Sequence, residues 1–446
     1  AERALSRELG LRFPNETVIT TLVLGIEDIS GRKRGPSDSE ITEKVRCLRC
    51  ALVGSGKPIR SVFFWEPQAS GYVLPEWGAV ATYQLPYVKT TTAGTEKSCR
   101  AFATGSTANE ATMKALAEGF ERYASELSRG ERIECATNLG ESFLDPRVIV
   151  PFAPVQYKIL KGIQPFNHES KTEWIAGVRY RNGARIWVPT ALVFYQNKYR
   201  PRKRVCYQAN SNGVAAHFDK GMAIEAALYE LIERDAFCVT WYARRKVRAI
   251  PHEYLLESQR ERIARWETLG YKVSFLDLTL DGPPVILVAI WSWKKTPALF
   301  SGAGCRSKLT DAIERAFSEA EFMAMTNYQG RLRGTIKMRE VWYPEDHGRF
   351  YINPKNLVYA KWLLEGAKES DAATKDFSGD LYRFDPVVVD ITPQESDCGL
   401  TVVRVLSEKL MPMNFGYGSE HYGHPRMTVL GLCWNAEYPS PPHFFA

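Results

Sequence analysis

The sequence predicts an α+β fold: antiparallel or mixed sheets with helices packed on one face, built around an internal duplication. Three observations carry this. Strand-like apolar runs come in hairpin-like pairs. Helical patterns stand between those pairs. One helical segment also occurs twice: Ala115–Arg122 reads ALxExxER, and so does Ala227–Arg234. Each copy lies among helix formers with apolar residues at i, i+3 and i+4 spacing.

Composition sets the bounds. The chain has 446 residues, 45% of them hydrophobic and 24% charged, which excludes a disordered chain. Its length suits one large domain with an appendage. The expected division is residues 1–75 as an N-terminal appendage for partner or peptide contact, and 76–446 as the main body. No apolar run approaches the roughly 18 residues of a membrane span, and AERALSRELG has no apolar signal core. The net charge of +7 fits nucleotides or acidic peptides without demanding nucleic acid. Nine scattered cysteines point to reduced thiols in a cytoplasm. The CxxC of Cys47 and Cys50 is half a zinc site with no second half at ligand spacing.

The elements follow in order. Thr17–Ile26 is a β-rich run, followed by a polar loop and a short helix ending near the CxxC. Arg60–Trp65 reads as a strand. GYVLPEWG links to the main body, where Val80–Val88 and Arg100–Ala103 read as strands before the first repeat helix. Thr172–Tyr180, Ala184–Phe194 and Arg204–Gln208 are strand-like and precede the second. Glu257–Leu269 is a helix rich in Arg and Glu. Tyr271–Asp277 and Pro284–Trp293 are paired strands, Thr310–Thr326 is a strong helix, and Val387–Asp390 and Leu400–Leu406 are the last strands.

The repeat carries the chemistry. Residues three apart share a helix face, so Glu118 and Glu121 point one way, as do Glu230 and Glu233. Adjacent carboxylates repel unless cations lie between them. A pocket in which four carboxylates meet metal ions carrying a polyphosphate accounts for the pattern, and a solvated face is the bland alternative. Aligning Glu118 with Glu230 sets Glu110 against Met222, which cannot ligate magnesium. Arg315 and Glu319 form a further basic and acidic pair on one face. Taken alone, they read as a surface ion pair. Ser211–Ala216 and Ala103–Thr107 are small, turn-forming runs before the repeat helices. They suit phosphate oxygens at a helix N-terminus, or an ordinary capped start. Gly54–Lys57 lacks the GxxxxGK[ST] of a phosphate loop. The basic runs Arg244–Arg248 and Pro201–Arg204 read as solvated.

Together these residues resemble the YcaO family. Ser211-Asn212-Gly213-Val214-Ala215-Ala216 leads into Glu230-Leu231-Ile232-Glu233-Arg234-Asp235-Ala236-Phe237 with Trp241 following, which is similar to SNGxAA…ExxERDAFxxxW of its cyclodehydratase branch. Glu118–Arg122 looks like the family's other ExxER, and Glu314-Arg315…Glu319 like its ERxxxE. The blocks around Asp390, Val403-Arg404, Pro412–Tyr417 and Gly423–Arg426 resemble the same branch. The likeness covers roughly residues 80–446.

The resemblance implies ATP and Mg2+ bound between the repeat helices. It implies Glu118, Glu121, Glu230, Glu233 and Glu319 as metal ligands. Those residues, with Ser211, Asn212, Ala215, Arg234 and Arg315, would bind the nucleotide. Arg234 and Arg315 would face the phosphates, and the terminal carboxylate of Ala446 would act as a base. The implied activity is ATP-dependent cyclodehydration, turning Cys, Ser or Thr of a ribosomal precursor peptide into thiazoline or oxazoline. Backbone thioamidation is a second reading, and an inert subunit scaffolding a modification complex a third. The implied partners are a precursor peptide with its leader, a separate ThiF-like leader-binding protein, a dehydrogenase and a second copy in a homodimer. Three positions depart from the pattern: Met222 replaces a Glu, Thr104-Gly105 carries no Lys, and the tail Pro439–Ala446 keeps PxP without the final Pro.

Overall fold

The computed structural model describes residues 38–65, 77–83, 99–160, 162–195, 206–207, 209–328, 334–369, 375–394 and 397–445. The expected strands at 17–26 and 84–88, the linker's first half, the basic run at 201–204 and Ala446 lie outside the described residues.

Fourteen described strands form three sheets. β1 (Ile59–Trp65), β2 (Trp77–Tyr83) and β3 (Cys99–Gly105) form an antiparallel sheet in that order. β4 (Arg132–Glu134), β5 (Thr172–Arg179), β13 (Val387–Asp390), β14 (Thr401–Leu406) and β7 (Val214–His217) form the second, with β6 (Arg185–Pro189) paired to β5. The third runs β11 (Leu299–Cys305), β10 (Val285–Trp291), β9 (Lys272–Asp277), β8 (Arg248–Ala249) and β12 (Lys368–Glu369). Only the short β8–β12 pair is parallel; the other pairs within the three sheets are antiparallel. The long helices are α1 (Asp38–Leu52), α2 (Ala108–Glu126), α3 (Lys220–Ala243), α4 (Glu257–Thr268) and α5 (Leu309–Tyr328).

The predicted fold class stands, but two sheets carry helices on both faces. Alternation along the strands shows why. Val214 and Ala216 of β7, with Val402 of β14, join the core of α2, β2 and β3. Ala215, Val403 and Val405 join the core of α3. In the third sheet Leu287 and Ala289 face α3, whereas Ile286 and Val288 face α4 and α5. Layers therefore alternate: three-stranded sheet, α2, second sheet, α3, third sheet, then α4 with α5. Strands buried on both faces read as continuous apolar runs, which hides their layering in the sequence.

Helix α3 is the central layer, and nearly every side of it is buried. Its start is capped by Asp219, which accepts from the Met222 N–H at 2.9 Å. Thr107 caps α2 the same way, accepting from Glu110 N–H at 3.1 Å. Strand β1, from the predicted appendage, pairs with β2, and α1 packs on α2. Among the described residues no helix is long and apolar enough to cross a membrane.

Candidate functional site

Glu118, Glu121 and Glu233 are buried and Glu230 nearly so, and each group sits where a helix meets the edge of a sheet. Among the described residues β3, β7 and β11 are edge strands, with backbone N–H groups that no neighbouring described strand takes. Glu118 of α2 accepts from the backbone of Phe102 on β3, and Glu121 from Ala216 on β7. Glu230 of α3 accepts from Gly213 N–H at 2.9 Å, just before β7. Glu319 of α5 accepts from Ala303 N–H on β11 at 3.1 Å. Two glycines make this approach possible. Gly213 has φ +73°, and a Cβ there would lie 2.4 Å from the Val405 carbonyl oxygen. At Gly302 a Cβ would lie 2.7 Å from the Glu319 Cβ.

The carboxylates form two neighbouring groups. Glu121 feels both Glu118 and Glu230, so α2 and α3 bring their acids together. Glu319 feels Glu233, so α3 and α5 do likewise. Helix α3 serves both groups, with Arg234 between them: its guanidinium lies 3.6 Å from Glu230 and 3.8 Å from Glu233. Arg122 pairs with Glu118 at 3.3 Å. Arg315 stands close enough to Glu319 to oppose its protonation.

Burial raises these acids. Glu118 is pushed up to about 7 against the pull of Arg122. Glu319 is also pushed up to about 7, by burial and then by Glu233. Glu121 is driven well above the usual carboxylate range by burial, with Glu118 and Glu230 adding to it. Glu230 is raised by burial, with Arg234 opposing. Carboxylates held this way gain from a cation.

Unsatisfied atoms test whether a metal–nucleotide complex fits. Glu118 Oε2, Glu121 Oε1 and Glu230 Oε1 are buried without a hydrogen-bond partner, as are Arg234 Nε and Arg404 Nε. The first three suit a cation and the last two an anion, so the residues fit magnesium with a phosphate chain. Among the described residues no three His, Cys, Asp or Glu side chains close on one point tightly enough to hold an ion alone. Magnesium does not need that. It keeps several waters and takes one or two carboxylates plus phosphate oxygens.

Other predicted residues fall elsewhere. Ser211, Asn212 and Ala215 are buried, but Ser211–Gly213 leads into β7, not into α3. Asn212 Nδ2 donates to the Met413 carbonyl at 2.8 Å, and Gly213 N–H is taken by Glu230. Thr107 and Asp219 cap the repeat helices themselves. Glu110 sits in the first turn of α2, bonded to Ser106 and paired with Lys114 at 2.6 Å. Met222 holds the same position in α3. Met222 offers no acceptor to match the bond that Glu110 takes from Ser106. Cys47 and Cys50 are exposed on α1.

Arg404 is a functional candidate that the sequence marks with a single signal. Arg404 is a lone charge in TVVRVL, an otherwise apolar strand. It is buried, donates to the Asn210 carbonyl at 2.6 Å, and stands near Glu230; burial disfavours its charge. Asp235 and Arg426, from separate motif blocks, form a buried pair at 2.8 Å, and Asp281 completes the cluster. Asp235 also accepts from Met411 N–H, tying the 411–426 segment to α3.

The chain's last described stretch docks against this site. Tyr351 donates to the Pro442 carbonyl at 2.7 Å, and His347 Nδ1 lies 2.8 Å from the His443 carbonyl. Ser301 donates to the Phe444 carbonyl at 3.2 Å. Phe237 stacks on Phe445 at 5.0 Å, and Trp241 meets Phe444 edge-on at 5.7 Å. The Phe445 ring lies 4.2 Å from the Arg234 guanidinium. The spacing of Phe237 and Trp241, four apart on α3, thus builds a cradle for this segment.

Comparison with known proteins agrees with this geometry. Residues 102–411 match the family described as YcaO cyclodehydratase, ATP- and Mg2+-binding. The chain belongs to the YcaO family. An uncharacterised protein of Methanothermobacter thermautotrophicus is 26% identical over 68% of this chain and 79% of its own length. A heterocyclase solved with substrate and cofactor superposes with TM-score 0.68 at 20% identity, covering 91% of this chain. This chain spans 57% of that heterocyclase. YcaO from Methanopyrus kandleri, bound with AMPPCP and Mg2+, gives TM-score 0.56 at 17% identity, covering 83% and 91% of the two chains. The E. coli microcin synthetase McbBCD complex gives 0.58 at 12% identity, covering 80% and 89%. The YcaO domain is an ATP- and magnesium-binding one, and its family is of ATP-dependent enzymes.

Proposed function

We propose that this chain is an ATP-dependent cyclodehydratase subunit acting on a ribosomal precursor peptide. The observation that supports it most is the set of unsatisfied carboxylate oxygens on α2 and α3 beside unsatisfied guanidinium nitrogens of Arg234 and Arg404. Glu118, Glu121, Glu230, Glu233 and Glu319 would hold magnesium, and Arg234, Arg315 and Arg404 the phosphates. When bound, magnesium ATP supplies an electrophilic phosphoryl group.

The peptide's Cys, Ser or Thr heteroatom bonds to the preceding amide carbon, and its proton passes to a base. The amide oxygen takes the γ-phosphoryl, leaving ADP. Loss of phosphate, with the amide proton, closes the C=N bond of a thiazoline or oxazoline. Arg234 and Arg404 offset the charge that builds at this point. The proposed base is the carboxylate of Ala446, the residue after Phe445. Phe445, the residue before it, lies on the Arg234 guanidinium, and Phe444 against Phe237 and Trp241, which supports this role.

The proposed division is 1–75 as a partner-contacting appendage and 76–446 as the catalytic unit, in the cytoplasm. The proposed partners are a leader-binding ThiF-like protein, a dehydrogenase and a second copy of this chain. Thioamidation uses the same amide activation and is the competing outcome. Product mass separates them: a peptide treated with the enzyme, its partner and magnesium ATP should lose one water per ring. Exchange of oxygen for sulfur would reassign the activity, and an unmodified peptide alongside intact ATP would leave a scaffold.

A further inference from the structure

The C-terminal end of α3 holds a cluster that the reaction above does not use. The helix stops at Arg244, whose φ of 52° lies in the left-handed region. That conformation is uncommon outside glycine. The guanidinium carbon lies 5.0 Å from the Trp241 ring centre and 4.8 Å from that of Trp362. The two indoles are 5.7 Å apart, so the three groups mark the corners of a triangle. Stacking accounts for the ring faces and is worth about 0.5–2 kcal/mol for such a cation.

It does not account for the N–H groups. Arg244 Nη1, Trp241 Nε1 and Trp362 Nε1 are each buried with no hydrogen-bond partner. Trp241 itself is fully buried. One buried donor left unpaired costs about 1–3 kcal/mol, and native structures rarely leave one. Here three belong to side chains in mutual contact. Burial also disfavours the Arg244 charge, while Tyr351 and Glu437 support it. Arg244 and Trp362 are half-buried, so parts of these two side chains reach the surface beside the buried N–H groups.

We propose that Arg244, Trp241 and Trp362 form a carboxylate-binding site. All three present donors and none an acceptor, and one carries positive charge. A carboxylate is flat and acceptor-only, and it pairs with guanidinium through two oxygens. The site lies ten residues beyond Arg234, about 15 Å along the helix axis. An extended peptide covers that in about five residues. Trp241 also touches Phe444, so the site adjoins the segment that reaches Arg234. The carboxylate therefore belongs to the peptide substrate, about five residues from the reacting position. This placement rests on the proposed peptide activity; the binding of a carboxylate does not.

The test reads the indole N–H resonances of 15N-labelled protein, assigned with Trp241→Phe and Trp362→Phe. Acetate is titrated against chloride at equal ionic strength. Both indole signals should move downfield and saturate. Affinity should fall at least about tenfold in Arg244→Gln, the loss of roughly one charged hydrogen bond, and by a smaller factor in Trp362→Phe, which keeps the packing. Two short peptides then identify the source: one neutral with a free C-terminus, one amidated with a single Glu. Shifts with the first alone assign a chain terminus, and with the second alone an acidic side chain. Signals unmoved by acetate and by both peptides, or moved equally in Arg244→Gln, overturn the proposal. Affinity for a magnesium-bound ATP analogue, measured on the same samples, checks the nucleotide site separately.

Discussion

Binding of magnesium nucleotide should release protons, in an amount the burial of the glutamates sets. Glu118 and Glu319 are both pushed up to about 7. At pH 7 each is about half protonated. A magnesium ion holding them must take the ionised form, so each sheds about half a proton, or about one in total. Glu121, raised further, adds to this. At pH 8 the first two are about one-tenth protonated, and their share falls to about 0.2 of a proton. Calorimetry with a nonhydrolysable ATP analogue, premixed with magnesium, measures the release in two buffers of different ionisation enthalpy. Glu118→Gln and Glu319→Gln should each remove about half a proton at pH 7, besides weakening binding. Heat independent of buffer at pH 7 would refute the reasoning, because the acids would then be ionised already or remote from the ion.

Asp235→Asn leaves Arg426 short of a buried partner and should cost about 3–5 kcal/mol in a urea melt; a change below about 1 kcal/mol would show that the pair is not structural. The buried imidazoles near the docked segment should make the protein acid-labile. His347 and His424 are lowered to about 4 and His421 to about 3, mainly by burial. The unfolded chain protonates them near 6.5, so stability is full above that pH and declines as pH falls toward 4, by up to about 1.4 kcal/mol per unit for each. A flat melting temperature between pH 6.5 and 4.5 would contradict this. Met222→Glu should leave magnesium nucleotide affinity unchanged, since the position lies in the first turn of α3; tighter binding by calorimetry would return it to the metal site.

The sequence made the repeat helices legible because a charged pair in an apolar frame is rare enough to stand out. It showed which residues share a face but not what they meet. Glu121 and Glu230 come together because β7 lies between their helices, and register across a sheet leaves no mark on either helix. The run Ser211–Gly213 looks like a helix entrance because turn residues before a helix and before a strand are alike. A four-residue strand, β7, stands between that turn and the capping residue Asp219. Arg404 shows in the sequence only as a charge within an apolar strand. Its meaning lies in burial among Tyr195, Tyr207 and Glu230, which come from distant parts of the chain.

The docked segment is held by its main chain as well as by its rings. Three successive carbonyls, those of Pro442, His443 and Phe444, are each fixed by a different side chain. Such an attachment works as a ruler. It reads position along the chain, and the side chains add identity to it. The buried side chains of His443, Phe444 and Phe445 then meet Asn414, Trp241 and Phe237 only if the count is kept. One inserted residue advances everything beyond it by about 3 Å and carries Phe445 off the guanidinium it covers.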